Sequence, residues 1–160
     1  MRIQLIKKRP SKDEYYLGIA EAVSRRATCL RRHFGAIIVK DDQIVSSGYC
    51  GAARGADNCT DIGKCIREEM KIPSGQRYEL CRSVHAEMNA VISAARSGTS
   101  VIGGKLYLFG RTVSTGLISG IEPCKLCKRV IINAGLEQVV IKNADGTIQK
   151  FDVKDWIKKE

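Results

Sequence analysis

Three residues that bind soft divalent metals, and one carboxylate beside them, stand in two short segments of this chain. His85-Ala86-Glu87 supplies an imidazole and a carboxylate, and Pro123-Cys124-Lys125-Leu126-Cys127 supplies two thiols. Zinc held by three protein groups keeps a fourth position for water, the arrangement of a catalytic rather than a structural site. Coordination brings the pKa of that water down to about 7, so a hydroxide forms near neutrality without a strong base. Glu87 is then free to carry protons between the water and a substrate. A Cys-x-x-Cys pair alone is weak evidence, because redox motifs, structural zinc sites and ordinary helices share it. Taken singly, His85 reads equally as a hydrogen-bonded core histidine, Cys124 and Cys127 as small buried hydrophobes, and Glu87 as a solvated helix charge. The combination points to a metal centre.

The flanking sequence says how these groups meet. Leu126, Val130, Ile131 and Ala134 recur at helical spacing after Cys124 and stop at Gly135, a good helix terminator. Val84, Met88, Val91, Ile92 and Ala95 do the same around His85, ahead of Gly98. Both ligand segments therefore open helices, and two helix N-termini bring unpaired N–H groups and partial positive charge to the metal, favouring thiolates and a bound hydroxide. Upstream, Pro10-Ser11-Lys12-Asp13-Glu14 has the spacing of a capping box and predicts a first helix to about Arg26. Phe34–Lys40 and Gln43–Tyr49 read as a hairpin turning at Asp41-Asp42, Lys105–Gly110 as a third strand, and Gln138–Lys142 as a fourth. Asn143-Ala144-Asp145-Gly146 turns into a fifth strand from Ile148 to Val153, and Lys154–Glu160 is a short helix or a frayed tail. Helices between strands predict a three-layer α/β/α domain on a mixed five-stranded sheet, one domain over residues 1–160.

Segments in order along the chain, Ala27-Thr28-Cys29-Leu30-Arg31-Arg32, Phe34–Val39, Ser47–Gly55 and Glu79–Glu87, together with the Pro-Cys-x-x-Cys pair, resemble the cytidine and deoxycytidylate deaminase superfamily, and within it the deoxycytidylate deaminases. That resemblance covers nearly the whole chain. It implies a cytidine-deaminase-like fold and a zinc-dependent hydrolase that converts dCMP and water to dUMP and ammonia. Zinc-bound hydroxide would attack C4 of the cytosine ring, with Glu87 as proton shuttle. It implies substrate contacts from Ala86, from the loop holding Cys50, Gly51 and Arg54, and a homo-oligomer. It also implies a second, structural zinc on Cys29, Cys59, Cys65 and Cys81, which would pin the apolar-poor stretch between Gly51 and Leu80. Metal-free scattered thiols are the alternative for those four. The chain departs from the family at Cys50, where an Asn is usual in the sugar-binding loop, and at Ala53, where Pro is frequent; a thiol is a far weaker hydrogen-bonding group than an amide. It also departs at residues 111–121, a longer Gly-, Ser- and Thr-containing connection that reads either as a cover over the site, with Arg111 on a phosphate, or as a surface insertion.

Composition sets the outer bounds. The 160 residues are 44% hydrophobic, enough for one core, and no run approaches the roughly 18 consecutive apolar residues of a membrane span. Met1–Pro10 is broken by Arg2, Lys7, Lys8 and Arg9 and lacks the apolar stretch of a signal peptide, so a cytoplasmic location is expected. Seven cysteines in such a chain argue for metal binding rather than disulfides. The net charge of +10 suits an anionic partner. Only nine aromatic residues offer no stacking platform for a single strand, which favours a free nucleotide over nucleic acid. The other readings are a zinc deaminase of another base or nucleoside, tRNA adenosine included, and a non-catalytic zinc domain that binds nucleotide.

Overall fold

The computed structural model describes residues 8–118 and 120–159. Of the Met1–Pro10 stretch read as lacking a signal peptide, residues 1–7 lie outside those described, as do Ser119 of the long connection and the last residue, Glu160. The first helix, α1, spans Lys12–Ser24, and Ser11 and Glu14 exchange both bonds of the expected capping box. It is followed by β1 (Arg32–Lys40) and β2 (Gln43–Tyr49), an antiparallel hairpin. Its turn residues Asp41 and Asp42 sit at φ 49° and 59°. Two successive left-handed residues match the right-handed strand twist, and aspartate tolerates that conformation better than most. Tyr16 reinforces the turn by donating to the Asp42 carboxylate at 2.6 Å.

The chain then crosses an irregular stretch with little apolar periodicity: a two-residue strand β3 (Gly51–Ala52), short helices α2 (Cys59–Ile62) and α3 (Ile66–Glu69), and a single 3₁₀ turn at Tyr78–Leu80. A second two-residue strand, β4 (Ser83–Val84), pairs with β3 and returns the chain to the body of the fold. From there run α4 (Ala86–Arg96), β5 (Lys105–Thr112), a two-residue strand β6 (Gly116–Leu117), α5 (Lys125–Asn133), β7 (Gln138–Lys142), β8 (Ile148–Asp152) and α6 (Val153–Ile157).

The sheet order is β2-β1-β5-β7-β8, with β5 and β7 parallel and the other pairs antiparallel. This is the expected mixed sheet of five strands, with β6 added against the end of β5. Alternation along β5 divides the core. Leu106 and Leu108 pack on one face with α4, α5 and α6, and Tyr107 and Phe109 pack on the other with α1. The helices thus form the two outer layers around a sheet buried on both sides. No helix among the described residues is long and apolar enough to cross a membrane.

What positions α4 is a close approach to β2. A Cβ on Gly48 would lie 2.3 Å from the Ala90 nitrogen and 2.5 Å from the Ala86 carbonyl. Asn89 and Ser46 bolt the same contact, donating to the carbonyls of Tyr49 at 2.8 Å and Ala90 at 2.7 Å. Gly48→Ala is therefore expected to destabilise the protein by about 1–3 kcal/mol, the usual cost of overpacking. Gly18→Ala, mid-helix with nothing within 4 Å, is expected to stabilise it by about 0.5–1 kcal/mol. Urea titration of the two variants checks the pair.

Candidate metal centre and its cavity

His85 and Cys124 occupy equivalent places, each the N-cap of its helix and each with extended backbone, at φ −69° ψ 153° and φ −65° ψ 166°. An N-cap is ordinarily Ser, Thr, Asp or Asn, whose oxygen satisfies a helix N–H. Neither side chain here makes such a bond, so both are left to point at each other. Cys127 follows one turn into α5. The His85 Nδ1 lies 3.5 Å from the Cys124 Sγ and 3.3 Å from the Cys127 Sγ. The three ligand atoms all fall within 4.8 Å of one another, a spacing that one ion can bridge. Two thiols and one imidazole nitrogen, with no fourth side chain closing the group among the described residues, suit zinc with a remaining place for water.

The charges agree with that use. Cys124 is held down to about 4, chiefly because Cys127 donates its S–H to it, with His85 assisting. Cys127 is pushed up by giving that hydrogen bond and by burial. His85 is raised by its contact with Cys124. In the metal-free state one thiolate and one proton are thus already shared across the pair, and a bound cation displaces the proton.

Glu87 sits in the first turn of α4 with 5% of its surface exposed. The helix N-terminus favours its anion, but burial outweighs this and holds the carboxyl above its ordinary value. A carboxyl whose hold on its proton is strengthened by burial suits a proton carrier.

These groups border a cavity of about 160 Å³ that His85, Ala86, Glu87 and Cys124 share with Cys50, Phe34 and Arg31. Of the residues expected to meet substrate, Ala86 and Cys50 line it, whereas Gly51, Arg54 and Arg111 do not. Gly51 packs toward Thr28 and Asn58. Arg111 stands 3.3 Å from the His33 Nδ1, because β5 runs on through Thr112 and pairs with β6. The described part of the 111–121 connection is a short hairpin off the sheet rather than a cover. Cys50 is on the wall with its hydrogen-bonding capacity taken: it accepts from the Phe34 amide at 3.3 Å and donates to the Arg32 carbonyl at 3.4 Å. Burial pushes its thiol up to about 12, so it is neutral and unreactive.

Cys29, Cys65 and Cys81 line the same cavity, and Cys59 is buried nearby. Burial raises the Cys59 thiol, and Cys29, Cys81 and Cys65 raise it further. The four are neighbours, but among the described residues no three come within 4.8 Å, whereas a tetrahedral four-sulfur zinc would hold its sulfurs about 3.8 Å apart.

Residues on the wall that sequence reasoning did not assign to the site include Arg31, Arg32, Phe34, Arg67, Tyr78 and Ser83. The Arg31-Arg32 pair is visible in sequence as a basic cluster. Arg67 and Tyr78 lie where no periodicity gives a signal.

Geometry of this kind defines a zinc-dependent hydrolase centre on an α/β/α fold. Residues 10–143 match the cytidine and deoxycytidylate deaminase zinc-binding region. The deoxycytidylate deaminase of Mycobacterium phage D29 is 36% identical over 136 residues, spanning 82% of this chain and 94% of that protein. That of Schizosaccharomyces pombe is 31% identical over 132 residues, and the match spans 82% of this chain but 37% of the yeast protein. Among solved structures, the dCMP deaminase of cyanophage S-TIM5 superposes with a TM-score of 0.61 at 27% identity, covering 94% of this chain and 93% of the phage chain. The same phage enzyme is also known in complex with dCMP and dUMP. The chain belongs to the cytidine and deoxycytidylate deaminase family.

The raised carboxyl of Glu87 makes a prediction for the zinc-free protein. Between its ordinary value of 4.5 and its raised folded value, the folded state keeps a proton that the unfolded chain has released. Stability therefore falls as pH rises through that window. Glu87→Gln removes this titration, so the zinc-free variant is expected to be more stable than the parent at pH 7, the advantage shrinking toward pH 4. Urea titrations at the two pH values check this.

Proposed function

We propose that the chain deaminates dCMP to dUMP and ammonia. The observation that carries the reading is one cavity whose wall holds the buried Glu87 and the His85–Cys124 pair together with Arg31 and the exposed Arg32. A cytosine ring is placed against Glu87 and the metal ligands, and a 5′-phosphate against the two arginines. The D29 relative, matched over nearly its whole length, and the phage structure with dCMP and dUMP support this substrate class.

Zinc, when bound by His85, Cys124 and Cys127, supplies a Lewis acid that lowers the pKa of water to about 7. The chain's own residues do the rest. The carboxylate of Glu87 accepts a proton from the attacking water and passes it to N3 of the ring. It then carries the second proton to the amino group at C4, which leaves as ammonia. Ala86, buried between the two, offers backbone groups to the ring edge. Phe34 and the satisfied thiol of Cys50 give the wall an apolar character, suited to a sugar recognised without a strong polar partner at that point.

We also propose that Cys29, Cys59, Cys65 and Cys81 hold a second zinc, which would draw α2, α3 and the turn before β4 together. Their clustering around Cys59 supports this. Two zinc ions per chain, falling to one in Cys65→Ser, is the expected result of metal analysis, and one per chain in both proteins would refute it.

The activity is tested by ammonia release from dCMP, dCTP, deoxycytidine, CMP and a stem-loop RNA, with Glu87→Ala as the chemical control. Selective turnover of dCMP that disappears in the variant is expected. Arg32→Ala should raise KM for dCMP about tenfold, the loss of one charge-assisted phosphate contact, and leave deoxycytidine unaffected. Preference for another member of the panel would overturn dCMP as substrate.

A further inference from the structure

Arg67 is the one buried basic side chain among the described residues, at 5% exposure. A buried guanidinium normally faces a carboxylate, but those nearby are engaged elsewhere: Glu68 pairs with Arg31, Glu69 with Lys64, and Glu79 with Arg77. Arg67 instead donates to three backbone carbonyls, those of Pro73 at 2.9 Å, Arg77 at 3.0 Å and Gln76. The planar fork of arginine can reach several acceptors at once, and a lysine cannot reproduce this.

The segment it grips needs holding. Lys71, Gly75 and Arg77 all have positive φ, at 52°, 83° and 50°. For the two that are not glycine, this costs on the order of 1–2 kcal/mol each and persists only where the surroundings enforce it. Ser74 and Gly75, at the tip of this segment, form part of the cavity wall.

The face of the same guanidinium lies 4.9 Å from the centre of the Tyr78 ring. Tyr78 in turn meets the His85 ring at 5.0 Å and 86°, edge against face. A metal-ligating histidine usually fixes its ring by donating its distal N–H to a carboxylate or carbonyl. Among the described residues His85 has polar partners only on Nδ1, the two thiols. The ring contact with Tyr78 is the other contact recorded for the His85 ring.

We infer that Arg67 is a positioning residue that holds two things at once: through Tyr78, the ring of His85 in its metal-binding orientation, and through the 73–77 carbonyls, the wall of the substrate cavity. The second half rests on the dCMP reading above. The first half does not.

The test compares Arg67→Lys, Arg67→Met, Tyr78→Phe and Tyr78→Ala by zinc affinity, in competition with a chromophoric chelator, and by KM and kcat for dCMP per bound zinc. Tyr78→Phe keeps the ring and is expected to match the parent within about twofold. Tyr78→Ala should weaken zinc about tenfold or more, the usual loss for a histidine's supporting group. Arg67→Lys and Arg67→Met should weaken zinc similarly and raise KM about tenfold, with kcat per bound zinc changed less. Zinc affinity unchanged in Tyr78→Ala and Arg67→Lys would overturn the proposal. So would a mere loss of folded protein with parental KM and zinc affinity in what remains. Should Arg67→Met not fold, Arg67→Lys and Tyr78→Ala decide. A parent that binds zinc but leaves dCMP untouched would sink the substrate reading, while the zinc arm would still judge the role of Arg67.

Discussion

Everything in this molecule answers to one requirement: three ligand atoms from segments 39 residues apart must meet within a few ångströms. The parallel pairing of β5 and β7 makes that meeting possible, because parallel neighbours need a crossover, and here the crossover carries α5. Leaving the end of β5, the chain begins α5 at the carboxyl edge of the sheet. α4 leads into the opposite end of β5, so its own N-terminus lies at that same edge. Open α/β sheets gather their ligands there. Gly48, Ser46 and Asn89 hold α4 against β2 tightly enough that the meeting point is fixed by backbone rather than by side-chain adjustment.

That meeting has an energetic cost which the fold absorbs. A carboxyl buried at 5% exposure and a thiol pair sharing a proton are poor choices for stability alone. Two helix N-termini offset part of the cost by offering partial positive charge where thiolate and carboxylate stand. A cation held there would offset more, and would couple metal binding to folding and to proton release. The same economy appears on the cavity wall. Cys50 spends its thiol on the backbone of β1, and Arg67 spends its charge on carbonyls of a strained turn, so neither is left as an unpaired polar group facing a ring.

Much of this was legible in the sequence, and the reasons are physical. The capping box at Ser11, the hairpin at Asp41-Asp42, the bounds of β7 and the stop at Gly135 depend on local backbone preferences, which a sequence states directly. The ligands were legible because metal chemistry restricts which residue types can serve. The cavity's far wall was not. Residues 53–82 have no apolar period, and within them Arg67 reaches across to the carbonyls of Pro73, Gln76 and Arg77, a contact that no spacing announces. Cys50, Gly51 and Arg54 are expected around the substrate by resemblance, and Arg111 from its place in the long connection after β5. Of these, only Cys50 borders the cavity; Gly51 is taken up in the pairing of β3 with β4, and Arg111 in that of β5 with β6.

The central claim is that His85, Cys124 and Cys127 hold a zinc whose fourth place is open to water beside Glu87. A crystal of the zinc-loaded protein, measured at the zinc absorption edge, tests it most directly. An anomalous peak is expected about 2.3 Å from both sulfurs and about 2.0 Å from the His85 Nδ1, with a non-protein oxygen as fourth ligand. No peak at that position, or a fourth protein side chain closing the shell, would contradict it.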